Sequence, residues 1–301
     1  DLFASLGEVA RPGAVLAAST AGSDLAELAQ ASGRGGAVLG LYFRFPAHAT
    51  RLVEIAVGED CAPDTVATAL GLARRLGKVA VRTGSDAGIG APMMAAYLHA
   101  ADRMLEAGAT PYLIDEAMVA YGMATGPYRA QDLVGLAPGR QGPADAATPV
   151  GIAGRLCAAG RFGRRVGKGY YLYEKGAEQG RADPEVIALI RAERERLGIT
   201  ARRFNPEEIQ RRCLLAMVNQ GARLLRQGVA RCPSDIDAVM LHGYGFPRWR
   251  GGPMMAADLS GLLHLKNDLA VFAGEEAEFW TPDPVFDELI KNGETFDSLN
   301  G

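Results

Sequence analysis

Two stretches of the chain repeat one another. The first reads Arg103-Met104-Leu105-Glu106-Ala107-Gly108, then Ile114-Asp115-Glu116-Ala117-Met118, Tyr121-Gly122-Met123 and Gly126-Pro127. The second reads Arg223-Leu224-Leu225-Arg226-Gln227-Gly228, then Ile236-Asp237-Ala238-Val239-Met240, Tyr244-Gly245-Phe246 and Gly252-Pro253. The offset is 120 residues at Arg103 and Arg223, and grows to 126 at Gly126 and Gly252. Apolar residues at helical spacing predict a helix over Met93–Ala107, ended by Gly108, and a second over Leu113–Ala120. A duplicated unit of this kind predicts two similar subdomains that cover each other's apolar faces.

Upstream of the first copy the periodicity changes. Short apolar runs at Ala14–Ala18, Gly36–Phe43, Leu52–Val57 and Lys78–Arg82 predict four strands. Helices are predicted between them at Asp24–Gln30, with Ser23 as cap, and at Pro63–Leu76, with Asp64 and Thr65 in the first turn. Strands alternating with helices predict an α/β layer over residues 1–84. The stretch Ala137–Ala147 reads as a loop, and Pro184–Leu197 as a helix within a charged linker.

Composition narrows the classes. Of 301 residues, 48% are hydrophobic and 22% charged, with a net charge of −3, which suits a globular protein and excludes a general nucleic-acid binder. Cys61, Cys157, Cys213 and Cys232 show neither metal-ligand spacing nor a disulfide framework, so no metal site is expected and a reducing compartment is. No apolar run is long enough to span a bilayer. The first residue is not Met, which reads as a piece of a longer gene product. Arg155, Arg161, Arg164, Arg165 and Lys168 cluster; a solvated face is the plain reading, and a phosphate site the sharper one. No GxGxxG, P-loop, HExxH or GxSxG motif occurs. The α/β layer is therefore expected to be a partial Rossmann-type layer lacking its nucleotide-binding first half.

Four separated blocks carry a resemblance. They are Gly40-Leu41-Tyr42-Phe43-Arg44-Phe45-Pro46-Ala47-His48 with Leu52-Val53-Glu54; Gly122-Met123-Ala124-Thr125-Gly126-Pro127 with Asp132 and Gly135-Leu136; Gly163-Arg164-Arg165-Val166-Gly167-Lys168-Gly169-Tyr170-Tyr171-Leu172-Tyr173; and Leu241-His242-Gly243-Tyr244-Gly245-Phe246-Pro247 with Gly251-Gly252-Pro253-Met254. In this order they resemble the L-3-hydroxyacyl-CoA dehydrogenase region of multifunctional fatty-acid β-oxidation enzymes. The resemblance implies the second part of an NAD-binding-type domain (1–84), two related all-α domains of the 6-phosphogluconate-dehydrogenase C-terminal-like kind (85–175 and 205–301), and a linker (176–204). It also implies NAD as cofactor, an acyl-CoA thioester as ligand, a companion hydratase/isomerase domain, a possible homodimer, and a cytoplasmic or, in a eukaryote, peroxisomal place.

The resemblance puts Tyr42 where the family has its catalytic His, and Glu54 where it has the carboxylate that orients that His. Ser19 and Thr20 stand in the loop that lines the family's nicotinamide site. Phe45 replaces a family Asn, and Asp86-Ala87-Gly88-Ile89-Gly90-Ala91-Pro92 replaces a segment carrying a second one. A phenol ionises near pH 10 and an imidazole near 6.5, so Tyr42 is a poorer base. A degenerate dehydrogenase site, kept as scaffold or acyl-CoA holder, is expected on this ground. Its rivals are a working NAD-dependent dehydrogenase whose nucleotide-binding half lies upstream or on another chain, and a purely structural dimerisation module.

Overall fold

The computed structural model describes residues 2–19, 24–84, 86–136, 151–174 and 179–301. Thr20, Ser23 and the Ala137–Ala147 loop lie outside them. In chain order the elements are α1 (Leu2–Val9), β1 (Leu16–Ala18), α2 (Leu25–Ser32), β2 (Val38–Phe43), β3 (Leu52–Ala56), α3 (Pro63–Arg75), β4 (Val79–Thr83) and α4 (Gly90–Ala107). Then follow α5 (Pro111–Tyr121), α6 (Pro127–Val134), α7 (Gly151–Ala158), β5 (Tyr171–Leu172), β6 (Arg181–Ala182) and α8 (Pro184–Leu197). The last are α9 (Pro206–Arg226), α10 (Pro233–Gly243), α11 (Pro253–Ser260), α12 (Leu262–Ala273), α13 (Ala277–Trp280) and α14 (Val285–Asn292). They form two compact units, residues 1–96 with 215–301, and residues 97–214.

In the first unit β1 to β4 form one sheet in sequence order. β1 runs parallel to β2, β2 antiparallel to β3, and β3 parallel to β4. The reversal follows from the connections: α2 carries the chain back between β1 and β2, whereas only the loop from Arg44 to Arg51 joins β2 to β3. β2 and β3 are central and covered on both faces, which is why they read as near-continuous apolar runs. One face packs Leu39, Leu41, Val53 and Ile55 against Val66, Ala69 and Ala73 of α3. The other packs Ala18, Tyr42 and Ala56 against Leu25 and Leu28 of α2 and Phe3 of α1. Arg34 fixes the end of α1 by donating to the carbonyls of Gly7 (2.8 Å), Ala10 and Arg11 (3.0 Å).

Each helical copy is built round two carboxylates that cap backbone. In the unit of residues 97–214, Asp115 on α5 accepts from Tyr128 N and Arg129 N at the start of α6, both at 2.9 Å. Asp132 on α6 accepts from Tyr170 N and Tyr171 N, again at 2.9 Å. In the other unit Asp237 on α10 accepts from Met254 N (2.8 Å) and Met255 N (3.1 Å) at the start of α11. Asp258 on α11 accepts from Phe296 N (2.8 Å) and Asp297 N (2.9 Å). These are the N–H groups that a helix start or turn leaves unpaired. The Gly-Pro signature now has a cause: a Cβ on Gly126 or Gly252 would lie 2.3 Å from the carboxyl carbon of Asp115 or Asp237.

Candidate functional site

A carboxylate in a fully buried strand stands out on energetic grounds, because burying a charge without partners costs several kcal/mol. Glu54 is in the middle of β3, 5% exposed. Its Oε2 accepts from Ile89 N at 2.5 Å and Gly90 N at 3.2 Å, the amides that open α4. Gly88 keeps this approach clear: its φ is +71°, and a Cβ there would stand 2.7 Å from Oε2. Burial pushes the Glu54 carboxyl above the usual range, against the pull of the two amides and the Arg44 guanidinium.

Tyr42 is the residue paired with Glu54 across the β2–β3 ladder, so the two side chains share a face of the sheet. Its ring leans over Gly40, where a Cβ would lie 2.5 Å from the hydroxyl. That hydroxyl is buried and has no hydrogen-bond partner among the described residues. Burial first, then the charges of Asp86 and Glu54, raise its pKa above the usual phenol value. Asp86 also accepts from Leu25 N at 3.2 Å, tying the approach to α4 to the start of α2.

Two further side chains complete the cluster. The Tyr244 ring packs onto Gly90, where a Cβ would fall 2.2 Å from it. Arg44 lies 4.7 Å from the centroid of that ring. Burial, then Glu54, push the Tyr244 hydroxyl up to about 12. Both side chains are coupled electrostatically to Glu54, Arg44 lowering its pKa and Tyr244 being raised by its charge. Ser19 follows β1 directly and is exposed. It stands at the carboxyl ends of the parallel strands β1 and β2, where ligands of α/β sheets bind. An exposed hydroxyl there, and a buried phenol without a partner on the same sheet, fit a nicotinamide cofactor with its substrate. Thr20 lies outside the described residues.

His48 and His264 are exposed. Burial, with Arg248 and Arg51, keeps the His242 imidazole below its usual pKa. Trp249 is 72% exposed and stacks with Arg250 at 4.1 Å. Among the described residues no three His, Cys, Asp or Glu side chains group as a metal site, and no helix is long and apolar enough to cross a membrane.

Comparison with known proteins agrees with this layout. Residues 1–87 match the family model for the 3-hydroxyacyl-CoA dehydrogenase NAD binding domain. Residues 89–173 and 209–297 each match the model for the 3-hydroxyacyl-CoA dehydrogenase C-terminal domain. The peroxisomal bifunctional enzyme of Danio rerio is 37% identical over 97% of this chain and 44% of its own length. That of Homo sapiens is 35% identical over 87% of this chain and 39% of its own. The fatty acid oxidation complex subunit alpha of Shewanella amazonensis is 30% identical over 94% of this chain and 40% of its own. This chain thus spans less than half the length of these relatives. In fold it is similar to 3-hydroxybutyryl-CoA dehydrogenase from Escherichia coli, with a TM-score of 0.76 at 21% identity over 97% of this chain and 79% of that one. The dehydrogenase part of multifunctional enzyme 1 from C. elegans gives 0.69 at 24% identity, over 95% of this chain and 67% of that one.

The chain belongs to the 3-hydroxyacyl-CoA dehydrogenase family. The expectation that its α/β layer lacks the nucleotide-binding half is overturned, because the whole of residues 1–87 matches the NAD-binding domain. That expectation rested on a single glycine fingerprint. A domain is specified by its whole alternation of strands, helices and core positions, and that pattern survives without the fingerprint.

Proposed function

We propose that this chain is the dehydrogenase part of a fatty acyl-CoA-oxidising protein and interconverts 3-hydroxyacyl-CoA and 3-oxoacyl-CoA with NAD. The observation that carries the reading is the Glu54 carboxylate, buried in an apolar strand, held by two backbone amides and sharing a sheet face with the unpartnered Tyr42 hydroxyl. A buried hydroxyl without a partner is unfavourable, and a substrate oxygen would satisfy it. NAD, when bound, accepts the hydride that leaves carbon 3 and returns it in the reverse direction.

In this reading Tyr42 donates its proton to the carbonyl oxygen of a 3-oxoacyl thioester, and Glu54 stabilises and orients the phenol from across the ladder. Arg44 and Tyr244 hold the Glu54 carboxylate against solvent. Ser19 would border the nicotinamide. The family's His is replaced by a group whose pKa is raised from about 10. Tyr42 therefore carries its proton at neutral pH, which suits donation in the reductive direction, and is unavailable as a base there. A companion hydratase domain and a peroxisomal setting suit the relatives named above.

The test is NADH-dependent reduction of acetoacetyl-CoA by the natural full-length protein, run beside oxidation of 3-hydroxybutyryl-CoA with NAD. Reduction is expected at neutral pH, while the oxidation rate should keep climbing as pH rises from about 7 to 10, because the phenolate that accepts the proton forms only toward alkaline pH. Folded protein with no turnover in either direction would overturn the proposal and return the degenerate-site reading. An oxidation rate that levels off near pH 7 would remove Tyr42 from the role.

A further inference from the structure

The basic stretch from Arg155 to Lys168 divides in the folded chain. Arg155 pairs with Glu193 at 3.0 Å. Arg161, 3% exposed, is held by Asp183 at 2.5 Å, by Glu185 at 3.2 Å, and by the Gly169 carbonyl at 2.8 Å. Those two guanidiniums serve the fold. Arg164 differs. It is exposed on a short 3₁₀ turn, Arg164–Val166, and has no ion pair among the described residues. Together with Arg129 it lines a cleft of about 510 Å³ within the unit of residues 97–214.

The cleft is set up before any ligand arrives. Arg129 is stacked on the Tyr171 ring at 4.2 Å, which limits the guanidinium's freedom and lowers the entropy lost on binding. The Tyr173 ring is fixed by its hydroxyl, which donates to Asp132 at 3.0 Å. Leu133 and Val119, 53% and 49% exposed, give it an apolar wall. No carboxylate of the described residues lines it. Two cations therefore face one volume, which is unfavourable alone and is relieved by an anion that accepts charge-assisted hydrogen bonds from both.

The second helical copy shows that the fold does not demand these cations. Counting from the shared Gly-Pro, the place of Arg129 is taken by Met255 and that of Thr125, also on the cleft, by Gly251, while the carboxylate caps are kept. We propose that this cleft is a binding site for a phosphorylated nucleotide, with a phosphate between Arg129 and Arg164 and the base against Leu133, Val119 and the Tyr173 ring. Its volume lies in the range of about 300–1,000 Å³ usual for small-molecule sites. None of these residues belongs to the NAD-binding domain, and the proposal does not depend on the dehydrogenase reading.

The test is calorimetric titration of the natural full-length protein, saturated with NAD, with adenosine 3′,5′-bisphosphate as probe. Wild type should bind saturably at one site. R164E should weaken binding about tenfold or more, the loss of one charge-assisted contact of about 1.4 kcal/mol. R165E, also exposed and next in sequence, should stay within about twofold, since a solvent-screened charge outside the cleft contributes little. Unchanged thermal unfolding of R164E shows that the variant is folded. No saturable binding to wild type, or equal weakening by the two variants, would overturn the site. Inorganic pyrophosphate binding as tightly as the nucleotide would overturn the nucleotide class.

Discussion

The two helical copies use the same two-carboxylate scheme but finish it differently. In both, an Asp on one helix caps the start of the next, and an Asp on that helix caps a later turn. In the first copy tyrosine hydroxyls join in. Tyr171 donates to Asp115 at 2.8 Å and Tyr173 to Asp132 at 3.0 Å. Asp237 and Asp258 stand where no such tyrosine follows in sequence. The electrostatics record the difference. Burial pushes Asp237 up to about 7, helped by the charge of Asp258, and Asp115 to about 6, against the Tyr171 hydroxyl and the Arg129 guanidinium. Backbone caps are thus what the duplicated unit requires, and the side chains added round them are where the copies diverge. The first copy's added groups also border the proposed nucleotide cleft.

The largest effect should come from breaking the more heavily used cage. D115A strands two backbone N–H groups and the Tyr171 hydroxyl, and should cost about 3–5 kcal/mol; D237A strands two N–H groups and should cost about 2–3 kcal/mol. Urea unfolding of both variants checks the order, and a larger loss in D237A would contradict it. The next effect is on pH dependence. Asp115 and Asp237 have folded pKa values above the unfolded value near 3.9, so the folded state keeps protons that the unfolded chain releases, and stability falls as pH rises through that window. The fall from about pH 6 to 7 belongs mainly to Asp237. D237N should flatten that part of a melting-temperature profile and leave the lower part sloping. The smallest effect is that of Y171F, about 1 kcal/mol, with the Asp115 pKa moving up toward that of Asp237. An Asp115 pKa that stays put in Y171F would break the explanation of the difference.

How much of this was legible in the sequence depends on the range of the interaction. The four strands and the helix Pro184–Leu197 follow from local patterning and from Pro and Gly at the helix ends, and they are observed within a few residues of the reading. α1 carries no expectation, because its apolar residues are mostly exposed and its anchor is Arg34, far along the chain. Glu54 stands out in the sequence through the resemblance, which puts it at the family's orienting carboxylate. The amides that hold it were not. The segment around Ile89 and Gly90 reads as a loss, since its side chains depart from the family pattern, yet backbone N–H groups survive any substitution but proline. Arg44 over Tyr244 joins residues too distant in sequence for spacing to show.

The most direct measurement of the central claim is the turnover of E54Q in the natural full-length protein, with acetoacetyl-CoA and NADH, beside NADH binding followed by fluorescence. The charge proposed to orient Tyr42 is lost in E54Q while the oxygen accepting from Ile89 and Gly90 is kept, so the account predicts kcat down by about a hundredfold with NADH affinity little changed. Wild-type turnover retained in E54Q would contradict it.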